Sequence, residues 1–122
     1  MVVEDDAETR EALVDLLNSS GFTALGATCV LDAFEVMVEK RPSLVLSDIN
    51  LGDHHGGELL DMAMKILGDE APPFVFVTGM SAWDIPGFPT SAPVLKKPIN
   101  VDALLSIVTR HCLAGKATWS AN

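Results

Sequence analysis

Hydrophobic residues along the chain form two alternating patterns. Short continuous apolar runs are typical of parallel strands covered on both faces, and apolar spacings of three and four residues are typical of amphipathic helices. The runs predict five strands, at residues 2–3, 22–27, 44–46, 74–77 and 94–95. A helical pattern follows each of the first three strands and the last one.

The helical segments carry their own start and stop signals. Asp6 and Asn100 are suited to cap the first helix and the last, which is predicted over residues 101–112. Ser20–Gly21 ends the first helix, and Pro42 ends the second because proline disfavours helix before it. The apolar faces comprise Leu13, Leu16 and Leu17 in the first helix, Ala33, Phe34, Met37 and Val38 in the second, and Leu59, Leu60, Met64 and Leu67 in the third.

Strict alternation of strands and helices predicts an α/β fold in which one parallel sheet is covered by helices on both faces. Prolines and a glycine interrupt residues 81–92, so the fourth helix is expected to be short or irregular. The chain has 122 residues, of which 48% are hydrophobic, enough for one packed core. We expect one domain over residues 1–114 and a short flexible tail over residues 115–122.

Composition narrows the classes of function. Eight Lys and Arg residues stand against 17 Asp and Glu residues, which gives a net charge of −9 and argues against nucleic-acid binding. No apolar run approaches the roughly 18 residues of a membrane span, and no signal peptide is apparent. Cys29 and Cys112 form no CxxC pair and are expected to be reduced thiols. These features predict a cytoplasmic protein with no membrane contact.

Polar residues collect where the predicted strands end. Ligands of open parallel sheets bind beyond the carboxyl ends of the strands. Clustered carboxylates repel one another, so a hard dication such as Mg²⁺ is expected among them. A lysine and a threonine beside them suit phosphoryl transfer to an aspartate nucleophile. The residues concerned are Glu4, Asp5 and Asp6, then Asp48 and Asn50, then Thr78 and Gly79, and finally Lys96, Lys97 and Pro98.

Taken together, these motifs resemble the receiver domains of response regulators in two-component phosphorelays. The resemblance spans essentially the whole chain, with the motifs in order and at compatible spacing. It implies a flavodoxin-like (βα)₅ fold with strand order 2-1-3-4-5. It rests on Val2-Val3-Glu4-Asp5-Asp6, on Ser47-Asp48 with Gly56 after it, on Val77-Thr78-Gly79 and on Lys97-Pro98.

The resemblance implies a role for each site residue. Asp48 is the expected phosphoacceptor. It is expected to share a Mg²⁺ ion with Asp5, and Mn²⁺ could take the place of Mg²⁺. Glu4 is expected to act mainly through a metal-bound water, and Asn50 through its backbone carbonyl. Lys97 is expected to pair with the phosphoryl group, and the Lys97–Pro98 peptide bond to be cis. Thr78 is expected to bond a phosphoryl oxygen and to move with it.

The resemblance also implies partners. A histidine kinase or a His-containing phosphotransfer protein would donate the phosphoryl group, and the domain would be a monomer or a weak dimer. Such a domain catalyses only its own phosphorylation and dephosphorylation. Phe76-Val77-Thr78-Gly79 further resembles a subset of stand-alone receivers with a Phe-x-Thr-Gly motif, seen in bacterial general-stress relays.

Two positions depart from the family pattern. Val94 stands where the family usually has Tyr or Phe, whose inward swing reports phosphorylation, so a switch would run through Thr78 instead. Gly52 replaces a frequent proline shortly after the phosphoacceptor and would loosen that loop.

Alternative interpretations stand beside these. Glu4 with Asp5, and Asp48, could be capping or loop acids, and Thr78 could simply end a strand. Asp53, His54 and His55 could bind a transition metal with Asp48, although a solvated Gly-rich loop over residues 52–57 is the simpler expectation. The chain could be a docking module with little phosphorylation. It could also be a Mg²⁺-dependent aspartyl-phosphate phosphatase. Such enzymes use a second acid two residues after the nucleophile, and Asn50 stands at that position here.

Overall fold

The computed structural model of the chain describes residues 1–51, 54–79 and 93–119. The strands are β1 (Val2–Val3), β2 (Gly26–Ala27), β3 (Val45–Asp48), β4 (Asn50–Leu51), β5 (His54–His55), β6 (Phe74–Thr78) and β7 (Val94–Lys96). The helices are α1 (Ala7–Ser19), α2 (Val30–Lys40), α3 (Gly56–Ile66) and α4 (Val101–Trp119), with a 3₁₀ turn at Gly68–Glu70. No described helix is long and apolar enough to cross a membrane.

Five strands form one parallel sheet in the order β2-β1-β3-β6-β7. Counted along the chain, these are the strands 2-1-3-4-5 that the family resemblance implies, so the predicted flavodoxin-like topology is confirmed. The register aligns the carboxyl ends of the central strands: Val3 pairs with Ser47, Asp48 with Val77, and Thr78 with Lys96.

Successive strand residues point to opposite faces of the sheet, and each face carries its own buried cluster. The clusters confirm a three-layer sandwich. On the face of α2 and α3 the cluster includes Val3, Ala33, Met37, Val45, Leu59, Ala63, Phe74 and Phe76. On the face of α1 and α4 it includes Val2, Leu13, Leu17, Leu46, Val75, Val77, Leu104 and Val108.

The predicted helix caps are confirmed. The Asp6 carboxylate accepts a hydrogen bond from Thr9 N–H at 3.0 Å, and the Asn100 side-chain oxygen accepts one from Ala103 N–H at 2.9 Å. Helix α2 ends at Lys40, and Arg41 after it adopts a left-handed conformation with φ 49°. The Asp6 and Asn100 side chains thus satisfy N–H groups that the first turn of a helix leaves unpaired.

Two helical faces are narrower than predicted. Val38 is 39% exposed and Met64 is 58% exposed, so their placement in the core was wrong. In α2 the buried stripe follows Val30, Ala33 and Met37, which leaves Val38 at its edge. In α3 the buried position beside Leu59 belongs to Ala63.

Strand β2 is shorter than the predicted residues 22–27. The N–H of Phe22 donates to the Leu17 carbonyl at 3.0 Å, and the N–H of Ala24 donates to the Asn18 side chain at 2.8 Å. These donors bond the end of α1 instead of the sheet, and β2 is therefore limited to two residues.

Helix α4 extends past its predicted end at residue 112 and continues to Trp119. No proline interrupts residues 113–119, and Ala114 and Ala117 favour helix. The first five residues of the predicted tail are thus helical, and residues 120–122 lie outside the described residues.

The predicted loop over residues 52–57 is partly ordered into secondary structure. Strands β4 and β5 pair antiparallel, with Asn50 opposite His55 and Leu51 opposite His54, and α3 already begins at Gly56. The predictions about Gly52, Asp53 and the fourth helix lie outside the described residues.

Candidate functional site at the carboxyl edge of the sheet

Four neighbouring strands deliver the predicted site residues to one edge of the sheet. Glu4 and Asp5 follow β1, and Asp48 ends β3. Thr78 ends β6, and Lys97 directly follows β7. The parallel arrangement places all these strand ends side by side, so residues that are far apart in sequence meet.

Three carboxylates converge at this edge. One oxygen each from Glu4, Asp5 and Asp48 lies within 4.8 Å of the other two. Glu4 is 3% exposed and Asp48 is 9% exposed, whereas Asp5 is open to solvent. The cluster thus has a buried side formed by two acids and an accessible side formed by the third.

The Lys97 ammonium bridges the two buried acids. Its Nζ donates to Asp48 Oδ2 at 3.0 Å and to Glu4 Oε1 at 3.1 Å. Lys96 beside it is exposed, in keeping with the alternation of strand residues between the two faces. The Lys97–Pro98 peptide bond is cis, which confirms that prediction.

Burial and charge compete at these groups. Burial raises the pKa of Glu4 to about 7, the hydrogen bond from Lys97 opposes the rise, and the Asp48 carboxylate adds to it. For Lys97, burial works against the charged form, but the hydrogen bonds to Asp48 and Glu4 outweigh it and raise the pKa. The ammonium is therefore held in its charged form between the acids.

Thr78 and Asn50 are placed near the cluster by the backbone. Thr78 is 1% exposed, and its carbonyl accepts a hydrogen bond from Lys97 N–H at 2.7 Å. Asn50 begins β4, two residues after Asp48. The roles assigned to the Thr78 hydroxyl and to the Asn50 carbonyl stay predictions.

One contact at this site was not predicted from the sequence. Arg10, in the first turns of α1, donates from Nη1 to the backbone carbonyl of Glu4 at 2.9 Å. The signal available in the sequence was a basic residue six positions after Glu4 on a helix that starts at the site.

A family model described as "Response regulator receiver domain" matches residues 1–109. The chain belongs to this family.

Curated relatives agree with that assignment. The receiver domain is 29% identical over 117 residues to the "Response regulator receiver protein CpdR" of Brucella abortus, covering 93% of this chain and 96% of that protein. It is 27% identical over 114 residues to the "Sensory transduction protein LytT" of Bacillus cereus, covering 91% of this chain. The chain spans only 46% of the length of LytT.

Solved structures share the fold. A CheY-like response regulator receiver domain from Methylobacillus flagellatus superimposes with a TM-score of 0.78 at 27% identity, covering 89% of this chain and 93% of that one. The chain is thus a receiver domain of the two-component response regulator family by sequence and by fold.

Within the receiver domain, Val94 lies where the sequence analysis placed a departure from the family. It pairs with Phe76 across the sheet and packs, half-buried, against the cluster under α2 and α3. Phe76 in turn lies 5.7 Å from Phe74, measured between ring centroids. These two rings are buried in the core on β6.

The acid cluster fits a hard dication. Mg²⁺ binds oxygen ligands at about 2.1 Å, so two ligand oxygens on opposite sides of an ion are about 4.2 Å apart. One oxygen each from Glu4, Asp5 and Asp48 lies within 4.8 Å of the other two, so the three groups are near enough to surround one ion. Carboxylates without thiols suit Mg²⁺ or Mn²⁺ rather than a softer metal.

Proposed function

We propose that this receiver domain accepts a phosphoryl group on Asp48 from a phosphohistidine donor and signals by a conformational change. The observation that carries the proposal is the convergence of Glu4, Asp5 and Asp48 with the Lys97 ammonium bonded to two of them. Such a set of residues can position a phosphoryl group and neutralise its charge. A purely structural role would not require these charged groups to meet.

Asp48 is the proposed nucleophile. One of its carboxylate oxygens attacks phosphorus, the bond between phosphorus and the donor imidazole nitrogen breaks, and the nitrogen leaves with the electron pair. The product is an acyl phosphate on Asp48, which water later hydrolyses to restore the carboxylate and release inorganic phosphate. The membership of a receiver family and the position of Asp48 at the end of β3 support this assignment.

Asp5, Asp48, the Asn50 carbonyl and, through water, Glu4 would hold the Mg²⁺ ion. When bound, the ion supplies positive charge that offsets the charge on the phosphoryl oxygens. Exposed Asp5 gives the ion an approach from solvent, while buried Glu4 and Asp48 form the inner wall.

Lys97 and Thr78 act on the phosphoryl group in this proposal. The Lys97 ammonium exchanges its bond to Asp48 for one to a phosphoryl oxygen, and the Thr78 hydroxyl donates to another. Because the Thr78 carbonyl is bonded to Lys97 N–H, a shift of one is passed to the other. The switch therefore runs along β6 and β7 without an aromatic residue at Val94.

The same proposal defines partners and catalytic scope. A histidine kinase or a phosphotransfer protein serves as donor, and no substrate other than the domain itself is turned over. We further propose that the domain works in the cytoplasm as a monomer or a weak dimer.

Phosphorylation is tested by incubating the protein with Mg²⁺ and acetyl phosphate and measuring the intact mass. We expect the mass of one added phosphoryl group in the wild type, and none in Asp48→Asn. Asp69→Asn is the matched control, because it removes the same charge from an exposed turn far along the chain.

The outcome separates the proposal from a docking module. A wild-type protein that folds and binds Mg²⁺ but gains no phosphoryl group would contradict the proposal and favour a docking role. Phosphorylation that persists in Asp48→Asn would place the acceptor elsewhere.

A further inference from the structure

Arg10 connects α1 to the turn that presents the acid cluster. Its Nη1 donates to the Glu4 carbonyl at 2.9 Å, across a partly buried contact. Its own backbone N–H donates to the Asp6 carbonyl at 2.9 Å. The second bond is the first backbone bond of α1 and does not need the side chain, so the side-chain bond to Glu4 is the contact specific to arginine.

The turn is held at three further points. The N–H of Glu4 donates to the Ala27 carbonyl of β2 at 3.1 Å, and the N–H of Asp6 reaches Glu4 Oε2 at 3.4 Å. Lys97 holds Glu4 Oε1. Among these contacts, the Arg10 bond is the one that ties the Glu4 backbone to α1.

Glycine at position 26 makes room for this arrangement. A Cβ atom added to Gly26 would lie 3.2 Å from Arg10 Cδ and 3.3 Å from Arg10 Cγ. The aliphatic stem of Arg10 therefore lies directly over the Gly26 backbone. An alanine there would require the Arg10 stem, which carries the guanidinium, to shift by a few tenths of an ångström.

We propose that Arg10 is a positioning residue for the divalent-cation site: it fixes the β1–α1 turn so that Glu4 and Asp5 converge on Asp48. The inference rests on the proposed function, because it concerns the same cation. It adds a residue that touches neither the cation nor the phosphoryl group and acts through the Glu4 backbone.

The sign of the effect distinguishes positioning from simple electrostatics. Arg10 is a cation close to a cation site, so removing its charge alone should tighten metal binding. Removing a group that orients a ligand should weaken metal binding, typically by tenfold or more. A positioning role thus predicts weaker binding upon a change that electrostatics alone would make favourable.

The test measures Mn²⁺ binding directly, from the electron paramagnetic resonance signal of free Mn²⁺, with Mg²⁺ affinity obtained by competition. We expect Arg10→Met, which keeps the stem but loses the charge and the donor, to raise the Kd about tenfold. Arg10→Lys, which keeps a cation and a donor, should recover most of the affinity. Arg110→Met, a change of the same charge at an exposed position of α4, should leave the Kd unchanged.

Gly26→Ala tests the contact from the other side. It should raise the Kd in the presence of Arg10 and have no effect in an Arg10→Ala background, where the stem is absent. Circular dichroism checks that each variant folds. If Arg10→Met does not fold, Gly26→Ala and Arg10→Lys decide the question.

Failure of this inference is distinguishable from failure of the proposed function. If the wild type binds metal and is phosphorylated, an unchanged or lower Kd in Arg10→Met overturns the positioning role alone. Equal effects of Gly26→Ala with and without the Arg10 stem also overturn it. If the wild type binds no metal, both proposals fail together.

Discussion

At the scale of single residues, the site is a balance between buried acids and one ammonium group. Glu4 is nearly inaccessible, yet it lies beside Asp48 and shares Lys97 with it. Burial is the largest influence on Glu4, so its pKa rises to about 7 despite the favourable ion pair. The buried acids are therefore under an electrostatic tension that depends on pH.

Because of this tension, the free energy of unfolding measured in EDTA should depend on pH. Glu4 binds its proton more tightly in the folded state, so its contribution to stability is full below about pH 4.5 and is lost as the pH rises to about 7. In EDTA, Glu4→Gln should gain stability over the wild type across that window, on the order of 2–3 kcal/mol by pH 8. Urea unfolding at several pH values measures the difference, and a gap that does not change with pH would contradict it.

Lys97 is predicted to oppose metal binding while assisting phosphoryl transfer. Its ammonium is bonded to oxygens of Glu4 and Asp48, the acids that are expected to lie at the cation site. Lys97→Met should therefore bind Mg²⁺ more tightly, by about 1 kcal/mol or roughly fivefold, but accept phosphate more slowly. Calorimetric titration with Mg²⁺ and a phosphorylation time course measure the two effects. Lys96→Met is the matched control, since Lys96 is exposed. Weaker Mg²⁺ binding in Lys97→Met would contradict the prediction and show that the ammonium organises the site.

At the scale of the elements, the helix that starts at the site depends on its cap. The Asp6 carboxylate accepts bonds from the Thr9 N–H and the Thr9 hydroxyl, and these bonds lower its pKa. The cap orients α1 directly after the acid pair. Its loss should therefore be felt in stability and at the site.

Asp6→Ala is expected to reduce the free energy of unfolding by about 1 kcal/mol, because the first turn of α1 loses its acceptor. Asp6→Asn should lose less, since asparagine also caps helices well. Urea unfolding compares both with the wild type. Equal losses in the two variants would show that charge, rather than capping, stabilises this helix.

The positions of strands and helices could be predicted where the hydrophobic pattern allowed one interpretation. Continuous apolar runs located β1, β3 and β6, which are buried along their length, and a shorter run located the half-buried edge strand β7. Strand β2 was overestimated because the competing acceptors, Leu17 and Asn18, lie on a helix earlier in the chain. The β4–β5 pair went unpredicted because its residues, Asn50, Leu51 and two histidines, carry no strand pattern.

The site followed the same division. The alternation of strands and helices predicted that Glu4, Asp5 and Asp48 share one edge of the sheet, and the family resemblance supplied the strand order that makes β1 and β3 neighbours. The two hydrogen bonds of Lys97 and the reach of Arg10 could not be derived. A long side chain has many rotamers, and which acceptor it selects depends on burial that appears only in the folded molecule.

At the scale of the whole molecule, metal binding should be coupled to global stability. An ion that binds only the folded state stabilises it by about 2.7 kcal/mol at one hundred times its Kd. For a domain of this size, that corresponds to a rise of about 10 °C in the melting temperature. Differential scanning calorimetry with Mg²⁺ at constant ionic strength measures it.

The same measurement tests the ligand set. Asp5→Asn should lose most of the Mg²⁺-dependent rise, because Asp5 is the accessible member of the acid cluster. Asp69→Asn should retain it. A full rise in Asp5→Asn would mean that Asp5 is not a ligand.

The excess of acids over bases at the sheet edge should also affect the rate at which a phosphorylated donor protein associates. With Glu4 ionised, three carboxylates face the single ammonium of Lys97, on a molecule whose net charge is already −9. A phosphorylated donor approaches as an anion and is repelled over roughly a Debye length, about 8 Å at physiological ionic strength. A bound dication offsets the excess negative charge of these four groups and weakens that local repulsion. Under the proposed function, encounter rates with an anionic donor should then depend on salt less with Mg²⁺ present than without it, and the ion would control collision as well as chemistry.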